Sequence, residues 1–347
     1  MCRDQLQRRH DPYRTVPPTQ SGGFTLIRGQ TSDKLLVLLK ERCPRLTKLW
    51  LLQLNDHKPR DLIALLIASK DLSFIHLGVK WVTTEVLCHV AGRKLQTLRA
   101  PRTMTTEVVK RIFEKVEQPF SQVEDLTISA TSASMVQLLP HLGAVKSLDI
   151  QLQGSSTRCF RHFSSLQGLR DLEIEVMDDS VLDPQDLMEL RNLKALQTFK
   201  IGGEAVLELT SVETAREVCT FFGAFPYLQE FTFNIVSNLG VQAIIALGKG
   251  SPLLEDCYMA ADIPGLYLDT VEGTLFPRLK RLAIEGFCDP RDPDEFDSIS
   301  NEIARVLHRH FPSMKDMNFM RLGSLELYIP QLLKNLSLKS GDGEEVD

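Results

Sequence analysis

Cysteine, histidine and acid-rich stretches are where this chain could do chemistry, and none of them assembles a site by spacing. Seven cysteines (Cys2, Cys43, Cys88, Cys159, Cys219, Cys257, Cys288) stand singly, an odd set without a Cys-x-x-Cys pair. They read as reduced thiols used as small apolar side chains. Cys159-Phe160-Arg161-His162 has helical spacing for a Cys/His pair, yet no third group accompanies it. In His308-Arg309-His310 the imidazoles are two residues apart and point to different faces of a helix, which predicts a solvated helix end. The acid-rich stretch 289–297 lacks the central glycine of a calcium loop, and Ile303 stands where the bidentate glutamate would fall if the loop began at Asp292. Gly202-Gly203 is not part of a Gly-x-x-x-x-Gly-Lys-Ser/Thr phosphate loop. The residues therefore predict no catalytic centre, no metal and no cofactor.

The bulk properties narrow the class. The chain has 347 residues, 43% apolar and 24% charged, with a net charge of -5, and a pI near 6.0. Without a basic excess to displace counterions, nucleic acid is not expected as the partner. No apolar run reaches the roughly 18 residues of a membrane span, and no apolar run follows the basic N-terminus as a signal peptide would require. The expectation is a cytoplasmic or nuclear protein with no membrane contact, in which the sequon Asn335-Leu336-Ser337 is idle.

What positions the remaining side chains is a repeat. Phe276-Pro277-Arg278-Leu279-Lys280-Arg281-Leu282-Ala283-Ile284 reads Pro-x-Leu-x-x-Leu-x-Ile, and versions recur along the chain. Their first apolar residues are Leu46, Leu72, Leu95, Val123, Val145, Leu169, Leu196, Leu228, Leu254, Leu279 and Met314, with a weaker twelfth unit at Leu333. Most steps lie within the roughly 20–29 residues of a leucine-rich repeat. Helical patterns at 60–69, 105–116, 183–193, 211–222, 239–247 and 299–311 fall between units, and a helix capped by Ser32-Asp33 precedes the first. A strand and a helix per repeat predict an α/β leucine-rich-repeat solenoid of about 11–12 irregular repeats. Its curved parallel sheet lines the concave side and its helices the convex side. Residues 1–31 read as a disordered lead-in, 32–339 as the solenoid and 340–347 as an acidic flexible tail.

Cys43-Pro44-Arg45-Leu46-Thr47-Lys48-Leu49-Trp50-Leu51 resembles the Cys-Pro-x-Leu-x-x-Leu-x-Leu repeat of F-box/leucine-rich-repeat proteins. Ser251-Pro252-Leu253-Leu254 and the Phe-Pro units at 225–226, 276–277 and 311–312 are similar to it. The resemblance implies a ribonuclease-inhibitor-like solenoid acting as substrate receptor of a cullin-based ubiquitin ligase. In that family the F-box holds the ligase adaptor and the repeats hold the substrate. Residues 1–31 show no Leu-Pro-x-Glu opening of an F-box. A free-standing scaffold is the alternative, and a GTPase-activating solenoid, for which Arg99 stands near the expected arginine, is a third reading.

Alternation within the strands sends one set of residues to the concave face, where a protein partner would bind. At the N-terminal end these are Lys48, Trp50, Leu52, Phe74, His76 and Arg99; in the middle, Asp125, Asp149, Asp171, Glu173 and Glu175; later, Glu230, Thr232, Asp256, Tyr258, Arg281 and Asp316. Aromatic and arginine anchors suit binding, although Trp50 and Phe74 would equally suit packing beneath the lead-in. The acidic middle favours a partner with a basic segment. The final residues Glu344, Glu345, Val346 and Asp347 match the terminus by which cytosolic heat-shock chaperones are held by carboxylate-clamp TPR co-chaperones, the alternative being a solubilising tail.

Overall fold

The computed structural model describes residues 23–26, 34–51, 58–154, 158–207, 209, 211–237, 239–263, 265–287, 296–319, 329 and 333. Within them one parallel sheet of thirteen strands runs the length of the molecule. The strands are β1 (Gly23–Leu26), β2 (Lys48–Leu51), β3 (Phe74–Leu77), β4 (Thr97–Met104), β5 (Asp125–Thr131), β6 (Ser147–Gln153), β7 (Asp171–Val176), β8 (Val181–Leu182), β9 (Thr198–Leu207), β10 (Glu230–Ser237), β11 (Asp256–Ile263), β12 (Arg281–Phe287) and β13 (Asp316–Phe319). Spatial order follows chain order except that β7 and β8 both pair with β9. This is a leucine-rich-repeat solenoid.

Every one of the eleven expected units starts its strand two residues after its first apolar side chain, from Leu46 before Lys48 to Met314 before Asp316. A turn sets this phase. Phe225, Ser251, Phe276 and Phe311 each accept, at the carbonyl, the N–H of the apolar residue three further on: Leu228 (3.3 Å), Leu254 (3.1 Å), Leu279 (3.4 Å) and Met314 (3.1 Å). The three phenylalanines are buried, so each turn is anchored in the core. One carbonyl then bridges to two amides of the next repeat, as Thr47 does to Ser73 and Phe74, and the pattern continues to Lys280 with Lys315 and Asp316. A chain that repeats this bond at each junction has no freedom to slip register.

Helices return the chain along the other face: α1 (Lys34–Arg42), α2 (Pro59–Ala68), α3 (Thr84–Ala91), α4 (Thr106–Lys115), α5 (Ser132–Leu138), α6 (Pro184–Glu189), α7 (Val212–Phe222), α8 (Val241–Gly250) and α9 (Phe296–His310). Several are capped as their sequences predict. Asp183 accepts from the Gln185 N–H and Ser211 from the Thr214 N–H, satisfying donors that an unfinished first turn leaves open. Between helices and sheet lies one continuous apolar core. Its densest part is aromatic: Phe199 has Phe221, Phe225 and Phe231 with ring centroids 5.7, 5.9 and 5.8 Å away.

The structure departs from the sequence reading in places. The lead-in is not without structure, since β1 adds to the edge of the sheet in register with β2. Helices α3 and α5 were not marked by the apolar pattern. Small or polar residues (Thr84, Ser132, Ser134) hold helical positions there, and the threonine caps Thr83 and Thr131 carry the signal instead. His310 is no solvated helix end: it is fully buried, its Nε2 2.9 Å from the Leu268 carbonyl oxygen. Leu52, most of the 289–297 stretch, all of the twelfth unit beyond Leu333 and the tail residues Glu344, Glu345, Val346 and Asp347 lie outside the described residues.

Candidate functional site

The open face of the sheet is built in rows, because parallel register places the same position of each repeat side by side. The first row runs Lys48, Phe74, Thr97, Asp125, Ser147, Asp171, Thr198, Glu230, Asp256, Arg281, Asp316. The second, two residues along each strand, runs Trp50, His76, Arg99, Thr127, Asp149, Glu173, Lys200, Thr232, Tyr258 and Ala283. Glu175 belongs to a third row, between Gln151 and Gly202. All sixteen described concave-face residues named above therefore lie in these rows. They do not form one site. Tyr258 is eight strands from Trp50 in the second row, on the order of 40 Å along the sheet.

Three zones result. At the N-terminal end Trp50 and His76 stack, ring centroids 5.1 Å apart and planes 19° from parallel, with Phe74 tilted against Trp50 at 6.4 Å. Burial and then the Arg99 guanidinium push the His76 pKa down, which favours the neutral imidazole. Trp50 Nε1, His76 Nδ1 and Arg99 Nε, on three successive strands, are buried atoms without a hydrogen-bond partner among the described residues. Strand β1 lies beside Trp50 through the Thr25–Trp50 register pair, so the lead-in adjoins this aromatic end.

The central zone is acidic. Burial first, and the neighbouring Glu173 second, raise the pKa of Asp149, while a hydrogen bond from Thr127 works against the shift. Glu173 and Glu175 are exposed, and Glu175 accepts a bond of 3.1 Å from Gln151 Nε2. The two basic groups flanking the zone form their ion pairs with other carboxylates: Arg99, which also draws the Asp149 pKa down, lies 3.5 Å from Asp125, and Lys200, beside Glu173 in register, lies 2.7 Å from Glu230. Asp125 is therefore part of an ion pair, whereas Asp149 and Glu173 sit on adjacent strands as like charges.

The third zone is charge-matched. Arg281 Nη2 donates to Asp256 at 2.6 Å and its Nε donates to the other carboxylate oxygen. This bidentate hydrogen bonding holds the Asp256 carboxyl below the usual carboxylate range. Tyr258 lies one row away on the same strand.

Sequence reasoning missed Lys200, which interrupts the acidic middle. It was within reach: Lys200 stands four residues after Leu196, as Glu173 does after Leu169. The other chemistry-bearing groups are inside. Burial pushes the Cys159 thiol up to about 11 and the Cys257 thiol up to about 12, away from thiolate reactivity. His162 is only half-buried beside Cys159, on a 3-10 turn, and among the described residues no group of three His, Cys, Asp or Glu could hold a metal ion. Asp186, buried at the start of α6, takes a 3.1 Å ion pair from Arg161.

No protein-family model matches the chain, and no curated protein matches it. Among solved structures, a chain of the crystal structure of the Rad7 and Elc1 complex in yeast is similar, with 16% identity, 83% of each chain covered and a TM-score of 0.44. A likeness this distant carries no argument about what the chain does.

Proposed function

We propose that this chain is a non-catalytic protein-recognition module that receives a basic segment of a partner protein on the acidic rows of its open face. The observation that supports this most is the Asp149–Glu173–Glu175 group, where like charges sit on adjacent strands while the nearest cations, Arg99 and Lys200, pair outward with Asp125 and Glu230. An extended cationic segment is the occupant that relieves such a field, and its encounter rate falls as salt screens the surface. The exposed carboxylates of Glu173 and Glu175 contribute little to folding, so they are free to serve binding.

The finer reading is a substrate receptor of the F-box/leucine-rich-repeat type working in the cytoplasm or nucleus, with the repeats holding the substrate. It rests on the Cys-Pro-x-Leu-x-x-Leu-x-Leu resemblance at 43–51. Affinity purification followed by mass spectrometry tests it: cullin and its adaptor in the eluate support the receptor, and a stable partner without them supports a free-standing scaffold. On the purified partner, replacing Asp171 by Asn and Glu173 and Glu175 by Gln is expected to weaken binding, more strongly at low salt, with the melting temperature unchanged. Unaltered affinity would move the binding site off these rows.

A further inference from the structure

Beyond the acidic rows the same face ends in an apolar one. Strand β9 continues for ten residues, and β8 joins it alongside, so that Val181, Val206 and Val236 fall side by side on β8, β9 and β10. The next residues inward, Leu182 and Leu207, are buried, which turns the valines to the open side. Val181 is 60% and Val236 67% exposed. The rows before it on these strands are polar or glycine, and an exposed apolar patch rimmed by polar residues marks an interaction surface.

The backbone is shaped to present this row. Register shifts between Asn234 and Val236, where β9 carries four residues, Gly202 to Ala205, against two. Gly203 has φ +116°, and a Cβ there would lie 2.0 Å from the Val176 carbonyl oxygen. Only glycine lets β9 pass the end of β7 this closely, swing out and pair with β8. Charge then says what kind of segment would lie on the valines. From Asp171 to Leu190 the chain has eight acidic residues and no lysine or arginine. Glu175 and the bulge residue Glu204 are exposed, Glu175 in the row before the valines and Glu204 in the bulge itself, and Glu173 is one row further.

We infer that the valine row is a docking ledge for a short extended segment of a partner protein in which apolar and basic side chains alternate with one residue between them. Rows two residues apart along a strand are about 7 Å apart, the same repeat as alternate side chains of an extended peptide. A segment running along the strands thus sets an apolar residue over Val181, Val206 and Val236, a Lys or Arg two residues away over Glu175, and a second over Glu173. This rests on the reading of the acidic rows as a receptor for a basic segment, and it adds the apolar requirement and the spacing.

Fluorescence anisotropy with labelled ten-residue peptides tests it. The probe carries Leu-x-Arg-x-Arg, made in both chain directions, with one control replacing Leu by Ser and another replacing both Arg by Glu. One direction of the probe is expected to bind about tenfold more tightly than either control. Val181→Ser with Val236→Ser removes that advantage and leaves the Ser control unchanged, while Glu173→Gln with Glu175→Gln weakens both. Both valines are exposed, and circular dichroism confirms that the variants fold. If the probe and the Ser control bind alike and the valine variants change nothing, the ledge is overturned and the acidic receptor stands. If the glutamate variants also change nothing, or no peptide binds below about 1 mM, both fall. A dimer seen by sedimentation and lost in the valine variants would assign the row to a second copy of the chain and overturn the inference as well.

Discussion

Replacing Gly203 by Ala separates two effects that the structure combines at one position. At φ +116° an L-residue is strained, and strain of this kind costs about 1–3 kcal/mol. The methyl group would also overlap the partner strand, 2.0 Å from the oxygen and 2.8 Å from the carbon and nitrogen of Val176. These are backbone atoms in a register pair with Gly203 itself, so no rotamer change relieves the overlap. The strands must part, and each ladder hydrogen bond lost adds about 0.5–1.5 kcal/mol. A total near 4 kcal/mol follows for Gly203→Ala. Two other glycines serve as controls. Gly154 has φ +94° with nothing within 4 Å of the added carbon, so Gly154→Ala meets strain alone, about 1–2 kcal/mol. Gly143 has open space and no positive φ, and Gly143→Ala should stay within about 0.5 kcal/mol of the parent. Urea titration followed by far-ultraviolet circular dichroism reads the midpoints, which should fall in the order Gly143→Ala, Gly154→Ala, Gly203→Ala. A Gly203→Ala midpoint equal to that of Gly154→Ala would refute the overlap, and one equal to the parent would refute the strain too.

Three further outcomes are expected. Phe199→Ala empties the centre of the aromatic core, where three rings lie within 6 Å, and should lower stability by about 3–5 kcal/mol in the same titration. Asp149→Asn should raise the melting temperature at pH 7. A carboxyl whose pKa is raised by folding contributes stability only below its unfolded value near 3.9 and loses it as pH rises, so the gain should vanish toward pH 4. His310, facing the Leu268 carbonyl, Arg309 and Asp269, has its pKa lowered by burial, so its contribution is complete above the unfolded value near 6.5 and is lost as pH falls below it. His310→Gln should flatten the decline in melting temperature between pH 7 and 5, and an unchanged slope would locate the sensitivity elsewhere.

Much of the fold could be read before any coordinates because each repeat carries its own phase. Leu279, Leu282 and Ile284 declare a strand and the face it buries, and the Phe-Pro pair at 311–312 declares where α9 stops; the three side chains are buried and Arg281 is exposed. Counting two residues on from Leu46, Leu169 or Met314 finds the strand start in each case. The helices at 84–91 and 132–138 escaped because the first buries a nearly continuous run (Val86, Leu87, Cys88, Val90, Ala91) and the second buries two serines (Ser132, Ser134), so neither shows a helical apolar period, and their caps are single hydroxyls. His310 escaped for another reason: its two-residue spacing from His308 describes its own helix, while its burial comes from the 3-10 segment at 265–270 far away in the chain.

The sequence by itself determined the period, the strand phase and the list of side chains on the open face, because those follow from local alternation and from a turn repeated in every unit. Only the tertiary structure decided which of those side chains meet. It divided the list into an aromatic end, an acidic centre and a charge-matched end, since position along a solenoid sets distance. It paired Arg99 with Asp125 and Lys200 with Glu230, leaving Asp149 beside Glu173. And it turned Gly202-Gly203, which the sequence shows only to be no part of a phosphate loop, into the bulge that lets β8 join the sheet and brings Val181, Val206 and Val236 into one row. The shift of register at this bulge is a relation among residues some 25 to 30 positions apart, and no local pattern encodes it.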